Sequence, residues 1–480
     1  MVFSILHGGK LLPSNITVMK FGGTSIEDAR AFDRVGKIVR NQKRVGSVIV
    51  VSAMSGVTDA LIASVRIAAQ AGALPAIRNL EEHFERHLQV ARGLGARSRR
   101  RIERLVADSR RDITSELSKA HSSRAAVLRG LLDSITSYGE QLSANLLVTI
   151  LKEHGLAASY VDARRCILTD QKHGSAQPLF PQTCHRMQAE LKPILKKKRV
   201  PVLGGFIGTS RTGATTTMGR GSSDYTATII SAALGARETQ IWTDVDGILT
   251  ADPQLVPTAV TVPQLSFAEA AELARFGARV LYSRTIHPAM GRKIPISVRN
   301  SLTPSKVGTL ICEEMETAAG YVKVIAHNPN VTLIEIRPSA NPAAKGFMPT
   351  IRRAFNRHQI SFEVMSLSSD RVSFTCSDGG LPEALIRDLQ QVGSVEILRE
   401  RSILACIGTG LNAPERLSHY LARFREVSPE LIWQSTANLN LITTVSPDSA
   451  SVILKRLHAA LFERDALRPT AQRSAGYVND

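Results

Sequence analysis

The chain has 480 residues, 43 % of them hydrophobic, and a formal net charge of +18, which is enough apolar material for two or three domains with cores of their own. No run approaches the roughly 18 apolar residues of a membrane span, and the patch Val2 to Leu6 is too short for a signal-peptide core. The five cysteines (Cys166, Cys184, Cys312, Cys376, Cys406) are scattered without a CxxC pair, which argues against a zinc site and for a reducing, cytoplasmic setting.

Residues 1–14 read as a ragged extension. The first element, Val18–Phe21, is a short apolar run that reads as a buried strand; it carries Lys20 and leads into Gly22, Gly23, Thr24 and Ser25. This order builds a phosphate site. The glycines let an anion approach backbone amides, the following helix is expected to turn its positive N-terminal end there, and Lys20 supplies a full charge. It is not a Walker A loop, because the lysine precedes the glycines and G-x-x-x-x-G-K-[ST] does not occur. Further strands are expected at Ser47–Val51, Ser159–Asp162, Val200–Leu203, Thr239–Trp242 and Pro295–Val298, with helical patterns between them, so the first part reads as an α/β unit with a mainly parallel sheet.

Residues 58–154 hold no strand pattern and read as a long helical excursion. Its densest charge lies between Ala91 and Asp112, where arginines share a helix with Ile102, Leu105 and Val106 on another face and aromatics are absent. That composition reads as a solvated helix face, with an anion-binding surface as the alternative, rather than a nucleic-acid surface. The excursion ends in Ala126–His154, where Gly139 and Glu140 interrupt an otherwise apolar face. A carboxylate in such a face needs a reason.

After Cys312 the rhythm changes. Val331–Ile336, Thr350–Arg357, Ile360–Met365, Arg371–Cys376, Pro382–Gln391 and Val395–Leu398 read β-α-β-β-α-β, a ferredoxin-like unit. A partial copy follows at Ile403–Ile407, Glu415–Arg425, Leu431–Ser435, Leu439–Val445 and Ala450–Leu461, its missing strand available from Tyr321–Ala326. The run Gly408 to Ala413 satisfies G-x-G-x-x-A, but the surrounding pattern is not βαβ and the next strand ends in Gln434 and Ser435 without an acidic residue, so it reads as a tight turn.

Five segments carry a resemblance to a known family: Lys20-Phe-Gly-Gly-Thr-Ser25; Ser52-Ala-Met-Ser-Gly-Val-Thr58-Asp59; Ser137-Tyr-Gly-Glu140-Gln-Leu-Ser-Ala144; Gly205-Phe206-Ile-Gly208 leading into Thr215 to Ala227; and Trp242-Thr243-Asp244-Val-Asp-Gly247-Ile-Leu-Thr-Ala-Asp252-Pro253. Their order and spacing resemble the aspartate kinases of the amino-acid kinase family, over nearly the whole chain. The resemblance implies an α/β fold, an amino-acid (carbamate) kinase-like parallel-sheet sandwich over residues 15–312. Two C-terminal ferredoxin-like βαββαβ (ACT) domains would follow at 320–400 and 401–465, with strand 321–326 given to the second. It implies a monofunctional, ATP-dependent phosphotransferase with a carboxyl acceptor, making 4-phospho-L-aspartate under feedback by an end-product amino acid, lysine or threonine. It also implies a homo-oligomer built through the ACT domains.

The residue chemistry agrees with that implication. An aspartate side chain, with an ordinary pKa of about 3.9, is already a nucleophile at neutral pH, so the catalyst must neutralise charge rather than move a proton. A site with lysine, arginine, hydroxyls and amides suits this. An α-amino acid also needs an anion for its ammonium and a cation for its carboxylate, and Glu140 and Arg220 are the candidates. By resemblance, Lys20 and Asp224 are the catalytic pair, and Ser52, Ala53, Thr58, Phe206 and Ser223 complete the aspartate pocket. Gly22, Gly23, Thr243, Asp244, Gly247, Leu249, Asp252, Pro253 and Arg279 lie on the nucleotide side. Mg2+ is expected with ATP, held mainly by phosphate oxygens, and no dedicated metal cluster is expected. Read without the family, Glu140 could partner an arginine, Asp224 could cap a helix, and Asp-Gly and Asp-Pro could mark turns.

Two stretches depart from the family. Arg279 stands where lysine is usual, and Tyr282-Ser283 where His-Pro is usual. Lys345, Gly346, Phe347, Met348 and Glu363 suit an effector pocket, while the Ser366 to Arg371 loop, with Ser368 in it, differs in length from the lysine-sensitive pattern and leaves the effector open. The remaining rivals are a kinase for glutamate or an N-acetylated amino acid, a catalytically dead amino-acid sensor, and a basic nucleic-acid binder.

Overall fold

The structure, a computed structural model, describes residues 15–42, 46–121, 123–276, 284–313, 321–339, 346–358, 360–368, 370–377, 380–411, 431–434 and 439–463. The chain divides into two units. One comprises Met1–Ile248, Pro263–Phe267 and Val280–Met315; the other comprises Leu249–Val262, Ala268–Arg279 and Glu316–Asp480.

The strands of the first unit are β1 (Ile16–Phe21), β2 (Gly46–Val51), β3 (Ala158–Tyr160), β4 (Leu168–Thr169), β5 (Val200–Gly204), β6 (Ile207–Ser210), β7 (Thr215–Thr217), β8 (Glu238–Thr243), β9 (Gln264–Ser266), β10 (Ile296–Asn300) and β11 (Thr309–Cys312). Its helices, in chain order, are α1 (Ala29–Asn41), α2 (Val57–Ala71), α3 (Ala73–Arg78), α4 (Glu81–Arg92), α5 (Ala96–Leu117), α6 (Ala125–Glu153), α7 (Ala163–Cys166), α8 (Phe180–Lys196), α9 (Ser222–Leu234) and α11 (Ile286–Met290), while α10 (Phe267–Arg275) belongs to the second unit from Ala268 on. Eight strands form one sheet in the order β3-β5-β2-β1-β8-β10-β11-β9, and β4, β6 and β7 form a small second sheet. The central pairs, β2 with β5, β1 with β2, β1 with β8 and β8 with β10, are parallel. A parallel strand covered on both faces reads as an unbroken apolar run, and Val48 to Val51 are all fully buried. Each predicted strand of this part lies in the large sheet; the two- to four-residue strands β4, β6, β7, β9 and β11 were too short to leave a period in the sequence.

The excursion between β2 and β3 is five helices, α2 to α6. Their apolar faces (Leu61, Phe84, Ile102, Ile113, Leu147) join Met19, Phe21, Val51 and Trp242 of the sheet in one core. Chain order reverses at β1, with β2 on one side and β8 on the other. In open α/β sheets the crevice beyond the carboxyl ends of such neighbours is where ligands bind.

The second unit adds β12 (Tyr321–Pro338), β13 (Phe362–Leu367), β14 (Val372–Ser377), β15 (Gly393–Thr409), β16 (Leu431–Gln434) and β17 (Asn440–Val445), with α12 (Phe347–Arg357), α13 (Glu383–Gln390) and α14 (Pro447–His458). Its strands form one antiparallel sheet, β13-β14-β12-β15-β17-β16. Segments expected as separate strands are fused: 321–326 with 331–336 in β12, and 395–398 with 403–407 in β15. The fusion passes through register shifts between Asn328 and Leu333, with Asn330 (φ 59°) and Glu400 (φ 53°) in the left-handed region. A bulge bends a strand without ending its pairing, so the polar stretches that read as boundaries are interruptions within a strand. Ile334, Phe355, Phe374 and Leu385 form the core of one half, and Ile325, Leu404, Leu441 and Leu454 that of the other. Gly408 sits inside β15, paired antiparallel with Val322 of β12 and donating its amide to the Leu439 carbonyl at 3.0 Å, so the glycine motif there lacks the parallel βαβ frame. The expected helix Glu415–Arg425 lies outside the described residues. Among those described, no helix is long and apolar enough to cross a membrane.

Candidate active site

Lys20 is the penultimate residue of β1, and its Nζ lies 2.6 Å from a carboxylate oxygen of Asp224 in the first turn of α9. Both side chains are nearly buried, at 12 % and 8 % exposure, so each needs the other's charge. Gly23 is fixed by clearance: a Cβ there would fall 2.9 Å from the carbonyl oxygen of Ala53. The Gly22 amide donates to the Trp242 carbonyl at 3.1 Å, tying the loop after β1 to the end of β8.

The helical turn that follows these glycines is short and starts at Gly23 without a side-chain cap, while the longer helix beyond it is capped. Thr24–Ile26 form a 3-10 turn, and α1 starts only at Ala29, where Asp28 accepts a hydrogen bond from the Ala31 amide at 2.7 Å. A longer helix with an uncapped start beside Lys20 is α9. Gly221, at φ 77°, turns the chain into it, and no side chain caps it. The family resemblance pairs Lys20 with Asp224, and the two side chains meet here; what the glycine segment alone does not show is that this partner is carried by α9.

Glu140 lies in α6 and is 4 % exposed. Two glycines let it reach the site. A Cβ on Gly139 would meet the Ala53 Cβ at 2.8 Å, and one on Gly204 would meet the Glu140 Cβ at 2.7 Å. Burial pushes the Glu140 carboxyl up to about 8, against the opposing pull of the Ala53 amide and the charge of Lys20. Its Oε2 atom is buried without a hydrogen-bond partner. An unpartnered buried oxygen on a carboxyl group is costly unless a ligand satisfies it.

Phe206 has a left-handed backbone, φ 69°, held by its amide donating to Thr226 Oγ1 at 3.0 Å and by its carbonyl accepting from the Met218 amide at 3.0 Å. Gly205 before it lies so close to Ser223 that a Cβ would be 2.5 Å from the serine Cβ. Strain of this kind, maintained by its surroundings, is concentrated at functional sites. Ala53, Glu140, Phe206 and Ser223 are thus linked by close backbone approaches. Ser52 is half-buried, its amide donating to the Phe21 carbonyl at 3.1 Å, and Thr58 is the second residue of α2.

Arg220, in the turn before α9, forms an ion pair with Asp59 of α2, and both side chains are largely exposed. The carboxylate it holds in this structure is therefore the protein's own. Sequence reasoning missed Asp59 in this role, although it directly follows Thr58 in a quoted motif. It also missed Arg86 of α4, whose guanidinium donates to the carbonyls of Ser55 (2.7 Å) and Glu27 (3.1 Å) and so ties the loop after β2 to the loop after β1. No sequence signal could reveal Arg86, because both acceptors are backbone atoms on distant loops.

On the expected nucleotide side, Thr243 ends β8 next to β1; its hydroxyl donates to the Asp244 carboxylate at 3.0 Å, and its carbonyl accepts from the Ser301 amide at 2.7 Å. Gly247, at φ 118°, turns the loop. Leu249 and Asp252 belong to the second unit, where Leu249 bridges Thr261 and Asp252 accepts from the Gln254 amide at 2.9 Å. Arg279, Tyr282 and Ser283 lie outside the described residues, as does Lys345. Of the other effector candidates, Gly346 (φ 111°) opens α12 and Phe347 and Met348 pack into its core. Glu363 pairs with Arg275 at 2.9 Å, burial raising its carboxyl, and Ser368 donates to Asp370 at 2.8 Å.

The geometry brings a buried lysine–carboxylate pair, an open helix start and a buried carboxyl with a free oxygen to the ends of β1, β2 and β5. That arrangement suits a phosphate next to an ammonium group.

Comparison with known proteins agrees in extent. Residues 15–300 match the amino acid kinase family. The lysine-sensitive aspartokinase 3 of Escherichia coli is 32 % identical over 464 residues, covering 94 % of this chain and 100 % of that protein. A chloroplastic aspartokinase 3 of Arabidopsis thaliana is 31 % identical over 479 residues, covering 96 % and 84 %. Among solved structures, E. coli aspartokinase III in complex with aspartate and ADP (R-state) aligns with a TM-score of 0.83 at 31 % identity, covering 93 % of this chain and 100 % of that one. Its complex with lysine and aspartate (T-state) aligns with a TM-score of 0.75 at 30 % identity, covering 94 % and 100 %.

Proposed function

The chain belongs to the amino acid kinase family and, within it, to the aspartokinases, and on that premise we propose that it transfers the γ-phosphoryl group of ATP to the side-chain carboxylate of L-aspartate, giving 4-phospho-L-aspartate. The observation that carries the site assignment is the Glu140 carboxyl, buried with Oε2 unpartnered in the same site as the Lys20–Asp224 pair.

The substrate carboxylate needs no general base, since it is ionised at neutral pH. Its approach to a triphosphate is opposed by charge. Lys20 would neutralise the transferring group, with Asp224 holding the ammonium in place at 2.6 Å. The amides that open α9 would add partial positive charge without a desolvation cost at the moment of reaction. Glu140 would take the α-ammonium and Arg220, released from Asp59, the α-carboxylate through a bidentate grip. Ser52, Ala53, Thr58, Phe206 and Ser223 would shape the pocket, and Thr243, Asp244 and Gly247 would meet the nucleoside. Mg2+, carried on the phosphate oxygens of ATP, would find one hard donor beside Lys20, the Asp224 carboxylate, and when bound it neutralises triphosphate charge.

The likeness to a lysine-sensitive enzyme, and to a structure solved with lysine, supports feedback by lysine, with Gly346, Phe347, Met348, Glu363 and Ser368 as its neighbourhood. We assign the catalytic domain to 15–312 and the ACT-like units to 320–400 and 401–465, acting as a cytoplasmic homo-oligomer. Hydroxylamine trapping of an acyl phosphate tests the reaction. Trapping with Mg-ATP and L-aspartate, absent with glutamate or N-acetylglutamate and suppressed by lysine, is the expected result. Trapping with glutamate alone would overturn the substrate, and suppression by threonine but not lysine would overturn the effector.

A further inference from the structure

The arginines of α5 are of two kinds. Arg99, Arg110 and Arg111 have carboxylate partners, Glu103, Glu81 and Asp108. Arg97, Arg100, Arg101 and Arg104 have no ion pair among the described residues, and all four line one cavity of about 830 Å³ between α5 and α6. Their spacing of 0, 3, 4 and 7 puts them on one stripe of the helix. Asn145, Thr149 and Lys152, at the same helical spacing on α6, form the other wall. Five cations and one carboxylate, Asp108, therefore line the groove, and that carboxylate is already paired with Arg111. Lys152 registers the imbalance: partial burial and then the charges of Arg101 and Arg199 lower its pKa. A solvated face would show no such segregation, because arginines of the same helix outside the groove do find carboxylates.

We propose that this groove is a binding site for a small polyanion carrying several phosphates. The stripe from Arg97 to Arg104 spans seven residues, about 10 Å at 1.5 Å per residue, which matches a chain of three or four phosphates. Its volume is that of a small-molecule pocket. A nucleic-acid strand would need a longer track and stacking surfaces, and Leu105 is the one apolar side chain in the lining. The site is separate from Lys20, but its α6 wall belongs to the helix that carries Glu140, so an occupant bears on an element of the aspartate pocket.

The test is calorimetric titration of the full chain with sodium tripolyphosphate, without Mg2+, at about 0.05 and 0.15 M salt. A Lys20→Met background removes the catalytic phosphate contact. That variant is expected to retain a saturable site of one equivalent, and adding Arg101→Glu and Arg104→Glu is expected to weaken it at least tenfold. In the wild-type background the same two substitutions should leave kcat unchanged. Both arginines are exposed, so folding should survive; Arg101→Gln with Arg104→Gln, checked by circular dichroism, gives a milder pair expected to weaken binding by an intermediate factor. Tripolyphosphate binding indifferent to these substitutions, or undetectable at the higher salt, would overturn the proposal. A single-stranded 12-mer oligonucleotide binding more tightly than tripolyphosphate through the same arginines would also overturn it, in favour of a nucleic-acid surface.

Discussion

Glu140 offers the sharpest test, because its function requires the charged form while its surroundings favour the neutral one. With its carboxyl at about 8 in the empty site, it holds about 0.9 proton at pH 7. An ammonium group docking on it requires that proton to leave, so aspartate binding at pH 7 should release close to one proton. Calorimetry in buffers of differing ionisation enthalpy reads this directly. Affinity should fall about 50-fold from pH 8 to pH 6, following the fraction ionised. Stability carries the opposite sign from the common carboxylate case. The folded state keeps a proton that the unfolded chain, at its ordinary 4.5, has lost, so the group's contribution falls as pH rises from about 4.5 and levels off above about 8. Glu140→Gln removes the titration. Its stability relative to wild type should improve by about 2 to 3 kcal/mol between pH 6 and pH 8.5 in urea unfolding, at 1.36 kcal/mol per pKa unit, while its aspartate affinity becomes weak and flat with pH. Aspartate binding with no proton release at pH 7, in an enzyme still dependent on Glu140, would refute the reasoning.

Lys20→Met should lower kcat by at least about 10³-fold with a small change in aspartate KM, since the lysine acts on the transferring group and not on the amino acid; stopped-time ADP formation checks it, and normal turnover would remove Lys20 from the site. Asp59→Asn frees Arg220 from a carboxylate that competes with the substrate's. An exposed pair is worth only about 0.2–1 kcal/mol, so KM for aspartate should drop by no more than about fivefold with kcat unchanged, and a rise in KM would instead make Asp59 a pocket residue. Arg86→Met removes two charge-assisted hydrogen bonds to loop carbonyls; kcat/KM for both substrates should fall about tenfold or more, and Arg86→Lys should recover little, since one ammonium does not match the fork of a guanidinium.

What the sequence revealed and what it withheld divide along the distance over which each constraint acts. The core strands were legible because burial on both faces forces an unbroken apolar run, as at Val48 to Val51. Glu140 stood out because one carboxylate in an apolar helical face is locally anomalous. The partner of Lys20 was legible only through the family resemblance, which names Asp224; no local pattern shows it, because the glycines adjoin α1 and it is the pairing of β1 with β8 and the packing of α9 on β1 that bring Asp224 to the lysine. The same limit explains β12 and β15, whose continuity depends on pairing with each other across bulges that look like boundaries in one dimension. Gly139, Gly204 and Gly205 lie between these cases. Each is visible as a glycine, but its reason is a neighbouring side chain within 3 Å of where a Cβ would stand. These three clearances are set by α6, β5 and α9 jointly, so the pocket is a property of the packed layers and no single motif encodes it. A substitution such as Gly205→Ala should therefore act through Ser223 and Phe206 together, damaging the site as a unit.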